Sequence, residues 1–400
     1  MNTRISTGMM YGQTVGTILA KQAKLLHLQQ QMATGQKLVT AKDDPVAAGA
    51  AVGLDRALAE LERYGANANN VQSRLGLQEN VLAQAGEMMA RINELTVQAN
   101  SGTMSDADRL AIGKEMASIR AGLLDLANST DGSGRYLFGG TADGSAPFSV
   151  SGGSVVYSGD QTQRRVEIAP EMTVADTQPG SELFLRIRTG DGRVDAGAAA
   201  GNTGTGIVKL YGIADSGAWN GGGYRIEFTD ADTYAVRDGA GNLVGGGAYA
   251  PGESIAFGGL KLQLEGQPAA GDAFEIGPAG TRDVFATIDR LIGALASAPT
   301  TAAQKADMQN LLQSSMRDIA TAQEHLIDAR AAGGAQLAAV DTAASLRDSQ
   351  SLTITGTLSN LRDLDYAEAI SRFALEQTAL EAAQLTFTQV QRLSLFNLLR

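Results

Sequence analysis

Four hundred residues exceed the roughly 100 to 200 of one domain, so more than one packing unit is expected. Lysine and arginine total 32 against 43 aspartates and glutamates, and the net charge of −11 argues against a general nucleic-acid partner. The absence of cysteine excludes disulfides, thiolate nucleophiles, cysteine zinc sites and iron–sulfur clusters.

From Gln13 to Ala33 the apolar residues Val15, Ile18, Leu19, Leu25, Leu26 and Met32 recur with helical period, and Ile18, Leu25 and Met32 are spaced by sevens. This predicts an amphipathic helix. Asp43, Asp44 and Pro45 start the next one, because an aspartate caps free N–H groups and proline suits the first helical position. Val71, Leu75, Gln78, Leu82, Ala85, Met89 and Ile92 continue it as a narrow stripe that needs a partner helix. Ser105 with Asp108 resembles a capping box and opens a third helix ending near Asn128.

The period then changes. Residues 131–280 hold 32 of the 48 glycines and six of the eight prolines. Arg135 to Phe138, Val155 to Tyr157 and Arg165 to Ile168 read as hairpin strands. Thr189 to Gly206 has too little apolar content to pack and reads as a linker. Beyond it, strands are predicted at Ile207–Ile213, Tyr224–Thr229, Thr233–Arg237, Ser254–Leu264 and Ala273–Ile276. Alternation is clear where Leu260, Leu262 and Leu264 oppose Lys261, Gln263 and Glu265. Helical period returns through Val284, Ile288, Leu291, Ile292 and Leu295, breaks at Pro299 and resumes from Thr301 to Leu361. A last helix carries Tyr366, Phe373, Leu380 and Phe387 at intervals of seven. Its natural partner is the first helix.

The expected fold is mainly α with an inserted β domain. Residues 1–42 with 360–400 form a terminal coiled coil, and 43–176 with 281–359 form a helical rod with β-hairpins. Residues 177–280 form a glycine-rich sandwich or barrel-like insert. Candidate partner-binding residues are Ile18, Leu25, Met32, Tyr366, Phe373, Leu380 and Phe387, together with Leu395 and Phe396 in an uncapped apolar end. Residues 1–40 hold Arg4, Lys21, Lys24 and Lys37 and no acid, a basic arm that is either solvated or met by acidic neighbours.

No catalytic residue, metal site or cofactor is expected. No phosphate loop or HExxH pattern occurs, and His27 and His325 read as ordinary helix residues. Asp230 and Asp232 read as a turn. No segment has the roughly 18 apolar residues of a membrane span, and the opening MNTRISTGMMYGQTVG lacks the apolar core of a Sec-type signal.

Arg4-Ile5-Ser6-Thr7 with Met9 and Tyr11, Met32-Ala33-Thr34-Gly35-Gln36-Lys37 and Asp43-Asp44-Pro45-Val46-Ala47-Ala48 resemble the N-terminal region of the flagellin family. Tyr136-Leu137-Phe138-Gly139-Gly140, Pro147-Phe148, Tyr157-Ser158-Gly159-Asp160, Asp365-Tyr366-Ala367-Glu368-Ala369-Ile370 and Leu393-Ser394-Leu395-Phe396-Asn397 are most similar to its branch between hook and filament. The resemblance implies an extracellular structural protein, forming a ring of its own copies between hook-associated protein 1 and filament flagellin. It also implies secretion by the flagellar type III apparatus, with an export chaperone as a further partner. Arg91, Leu95 and Glu115 fall in a region similar to the part of flagellin that an innate immune receptor reads. Two alternatives remain: the filament flagellin itself, and an adhesive or carbohydrate-binding insert that would use Trp219 as its aromatic platform.

Overall fold

The computed structural model describes residues 7–398, with side chains at 9 and 11–389. Six α-helices are present among them: α1 (Thr7–Thr34), α2 (Pro45–Ala99), α3 (Asp106–Ala127), α4 (Val284–Ala296), α5 (Ala302–Arg362) and α6 (Tyr366–Leu398). The chain forms two compact units, one from Met1–Ala66 with Ala343–Arg400 and the other from Asn67–Thr342; α2 and α5 contribute to both.

The helix starts follow from local chemistry. Asp44 Oδ1 accepts the N–H groups of Val46 and Ala47 at 3.0 and 2.9 Å, capping α2. Ser105 Oγ accepts the Asp108 N–H at 3.2 Å to cap α3, and Asp283 does the same for Ala286 in α4. In Asn67–Thr342 the helical stripes close on one another. Leu82, Met89, Ile92, Met116, Leu123, Ile288, Leu291, Leu312 and Ile319 are all fully buried in one core. Phe138, Phe148, Phe184 and Phe285 extend it, and Phe184 meets both Phe138 and Phe148 edge-on, at 5.6 and 5.8 Å between centroids.

Strands β1 (Phe148–Ser151) and β2 (Ser154–Tyr157) form one hairpin, and β3 (Arg165–Ala169) and β4 (Met172–Ala175) another. Arg135 to Phe138 is not a strand. Only Tyr136 makes a bridge, to Thr130, while Leu137 and Phe138 turn inward as core residues. Their burial against helices displaces the extended pairing that their short apolar run suggests. A π-helix at Ser181–Leu185 leads into β5 (Ile187–Arg188).

The glycine-rich insert holds β6 (Val194–Ala198), β7 (Ile207–Ile213), β8 (Tyr224–Asp230), β9 (Thr233–Asp238), β10 (Leu243–Ala248), β11 (Ser254–Phe257), β12 (Leu260–Glu265) and β13 (Ala273–Pro278), and β14 (Thr281–Arg282) pairs back to β5. One sheet has the order β10-β9-β8-β13-β6 and the other β11-β12-β7, and their inward side chains share a second core. The expected alternation appears in β12, where Leu260, Leu262 and Leu264 are fully buried.

Three readings change. Ser254 to Leu264 is two strands, because Gly258 and Gly259 take φ of 51° and 81° and reverse the chain between them. β10 was not expected from its glycine-rich sequence. The supposed linker at 189–206 contains β6, paired along β13, with Val194 fully buried. Its side chains are small, and its position is fixed by backbone hydrogen bonds instead of apolar periodicity. Polar residues of α5 complete this anchoring. Asn310 accepts the Val208 N–H at 2.8 Å and donates to the Gly206 carbonyl at 2.9 Å. Asp318 accepts the Gly190 N–H at 2.8 Å, Thr321 donates to the Gly190 carbonyl at 2.7 Å, and the Arg317 guanidinium lies 4.7 Å from the Tyr211 ring centre.

Candidate assembly surface

α1 and α6 pair in antiparallel fashion. Tyr11 lies 5.2 Å from Phe387, Lys21 and Lys24 pair with Glu376 at 3.1 and 2.5 Å, and the Tyr366 hydroxyl donates to the Met32 carbonyl at 3.2 Å. The Lys24 and Lys21 ammonium groups hold the Glu376 carboxyl below the usual glutamate range. The basic arm is therefore partly answered within the same chain.

The base of this hairpin is tied by backbone. Lys37 N–H donates to the Arg362 carbonyl at 2.7 Å and Leu364 N–H to the Gly35 carbonyl at 2.9 Å. Gly35 sits at φ 71°, where a side chain would be strained and its Cβ would stand 3.2 Å from the Tyr366 hydroxyl. Arg362 also pairs with Asp55, with one contact at 3.0 Å. Asp43 has a different task from its neighbour Asp44: its Oδ2 accepts from Val39 and Thr40, and its Oδ1 lies 3.1 Å from His27. Desolvation pushes the Asp43 carboxyl up, but the Thr40 and Val39 donors and His27 outweigh it and leave it below the ordinary aspartate value.

Ile18, Leu25 and Met32 on α1 and Phe373, Leu380 and Phe387 on α6 are half-buried, with Leu28 and Ala369 the buried residues among the described side chains of these two helices. Tyr366 is half exposed despite its hydrogen bond. The side chains of Leu395 and Phe396 lie outside the described residues. A second set was not singled out from the sequence. Leu19 and Leu26 on α1 are 60% and 65% exposed, and Leu375 and Leu385 on α6 are 68% and 65% exposed. The signal was the doublets Ile18-Leu19 and Leu25-Leu26: two adjacent apolar residues per heptad make a stripe wider than one partner helix covers.

Elsewhere the chemistry is structural. His325 contacts the Glu182 carbonyl at 2.8 Å, and Asp230 Oδ1 accepts the Asp232 N–H at 2.9 Å in the β8–β9 turn. Among the described residues no group of three histidines or carboxylates is placed to hold a metal ion, and no helix is long and apolar enough to cross a membrane. Trp219 is no open platform, since it packs against the insert core and its Nε1 donates to the Gly222 carbonyl at 2.9 Å. Arg91 and Glu115 pair at the surface at 2.8 Å, whereas Leu95 is buried.

Residues 5–143 match the model of the bacterial flagellin N-terminal helical region. The crystal structure of Xanthomonas campestris FlgL is 56% identical, with a TM-score of 0.72, and the match covers 76% of this chain and 99% of that one. The chain belongs to the FlgL family. Flagellar hook-associated protein 3 of Escherichia coli is 28% identical over 99% of both chains, which extends the family relation across this whole sequence. The crystal structure of the flagellar junction protein FlgL from Legionella pneumophila is 27% identical, with a TM-score of 0.70, covering 78% of this chain and all of that one. FlgL-family chains are structural proteins of the flagellum, and the mainly helical architecture with a β-rich insert is theirs.

Proposed function

We propose that this chain is the structural subunit that joins hook to filament. The observation that carries the reading is the full-length relation to a hook-associated protein, which spans the terminal helices and the insert alike. The paired α1 and α6 support it physically. They carry apolar side chains that their own pairing leaves open, as a subunit awaiting neighbours requires.

In this reading copies of the chain form a ring, seated on hook-associated protein 1 and presenting flagellin with its first docking layer. The terminal coiled coil of 1–42 and 360–400 makes contacts between copies. Export as an unfolded chain through the flagellar type III apparatus, with a chaperone covering the apolar ends, suits helices whose remaining apolar faces gain burial on assembly.

Deletion of the gene tests the role. The expected phenotype is hooks without filaments and flagellin lost to the medium. Loss of the flagellin band itself would make this the filament subunit and overturn the junction reading.

A further inference from the structure

The loop that joins β7 to β8 contains the one Asn-Gly pair of the chain, Asn220-Gly221, with Gly222 and Gly223 behind it. Both residues of the pair are exposed, yet the loop around them is pinned. Trp219 N–H donates to the Asp215 carbonyl at 3.2 Å, and the Trp219 indole, packed against the insert core, donates to the Gly222 carbonyl at 2.9 Å. Gly221 takes φ of 79°, and the chain turns back so that the Gly222 N–H donates to Asn220 Oδ1 at 2.9 Å. The Tyr224 hydroxyl donates to the same oxygen at 3.4 Å. Among the described residues the Gly221 N–H and the Asn220 side-chain nitrogen have no hydrogen-bond partner.

We propose that Asn220 is a site of spontaneous deamidation in the folded chain, through a cyclic imide with Gly221. The Gly221 nitrogen gives its proton to hydroxide and attacks Asn220 Cγ. A new N–C bond closes a five-membered ring, the Cγ–Nδ2 bond breaks, and the side-chain nitrogen takes a proton from water and leaves as ammonia. Water then opens the ring at either carbonyl, to aspartate or to isoaspartate. The balance is one water in and one ammonia out, with no change of oxidation state. The loop favours each step. Residue 221 has no Cβ to crowd the attacking nitrogen, and the Gly222 N–H and Tyr224 hydroxyl stand where negative charge builds on Oδ1 as Cγ becomes tetrahedral. Asn242, the other exposed asparagine of the insert, lacks this set, because Leu243 follows it and its Nδ2 donates to Asp238 at 3.1 Å. Older copies of the chain thereby carry one more carboxylate on the insert than new ones.

The test is to hold the purified full-length chain in mildly alkaline buffer and digest samples with trypsin at intervals. Asn220 is the only asparagine of the peptide 210–225, and Asn242 the only one of the peptide 238–261, which serves as an internal reference. Peptide 210–225 should gain about 1 Da and resolve into two products, on the order of tenfold faster than the reference changes. An isoaspartate-specific methyltransferase should label one of the two. Asn220→Gln should remove the shift, since glutamine would have to close a six-membered ring. Tyr224→Phe keeps the ring that packs in the insert core and should slow the shift several-fold by removing one donor to Oδ1. Equal rates in the two peptides would overturn the site and leave the junction role untouched. A Tyr224→Phe chain that reacts as fast as the native one would overturn the part given to the hydroxyl.

Discussion

The same residue types behave differently in the two units. In Asn67–Thr342, Leu82, Met89, Ile92 and Leu312 are fully buried, because each helical stripe finds helices and aromatic side chains on several sides. In the terminal unit Leu19, Leu26, Leu375 and Leu385 are about two-thirds exposed, because α1 and α6 have apolar stripes wider than their own pairing covers. The first unit spends its apolar surface on its own stability; the second leaves it open. At roughly 25 cal/mol per Å² of apolar area removed from water, covering these leucines is a substantial drive for association. In the proposed assembly, folding strength and assembly capacity are thereby separated along one chain.

The contrast breaks most sharply by truncation. Phe184→Ala should destabilise Asn67–Thr342 by about 3–5 kcal/mol in urea unfolding, since it removes a fully buried ring with two edge-on partners. Asn310→Ala should cost about 1–3 kcal/mol by stranding the Val208 N–H and the Gly206 carbonyl, and hydrogen exchange at Val208 should rise. Leu26→Ser should change the unfolding of the isolated chain by less than about 0.5 kcal/mol yet lower filament number in cells. A loss of stability as large as that of Phe184→Ala would erase the distinction between the units.

Acid should act on Asn67–Thr342 through particular carboxylates. Asp131 is held at about 2: desolvation raises it, but Ser133, the Arg135 N–H and Arg74 more than offset this. Hydrogen bonds from Thr141 and Thr162 hold Asp160 at about 2 as well. Both values lie below those of the unfolded chain, so their contribution is complete above pH ~4 and is lost as pH falls towards 2. Unfolding midpoints measured from pH 5 to 2 should fall over that window, and less so in Asp131→Asn. At the surface, Glu171 has φ 59° in the β3–β4 turn, and Glu171→Gly should stabilise by about 0.5–1 kcal/mol in the same assay.

Where the sequence carries a strong local or periodic signal, the fold could be read from it. Asp44 and Ser105 start helices as their side chains require, and β12 shows its alternation in Leu260, Leu262 and Leu264. β6 and β10 escaped because glycine and alanine strands carry no alternating apolar signal; they are set by neighbouring backbone, and the turn before β6 is held at Gly190 by α5 side chains distant in sequence. On the terminal helices the heptad of Ile18, Leu25 and Met32 was legible. The Leu19–Leu26 stripe was not, since which of two adjacent apolar positions stays open depends on the angle at which α6 is laid against α1.

Hydrogen exchange on the isolated full-length chain tests the separation of folding from assembly most directly. Amides in α1 and α6 should exchange rapidly, while those of α2 from Val71, α3 and the buried part of α5 stay protected. Protection of α1 and α6 equal to that of the core helices would contradict the account, because the terminal pair would then need no neighbours to be stable.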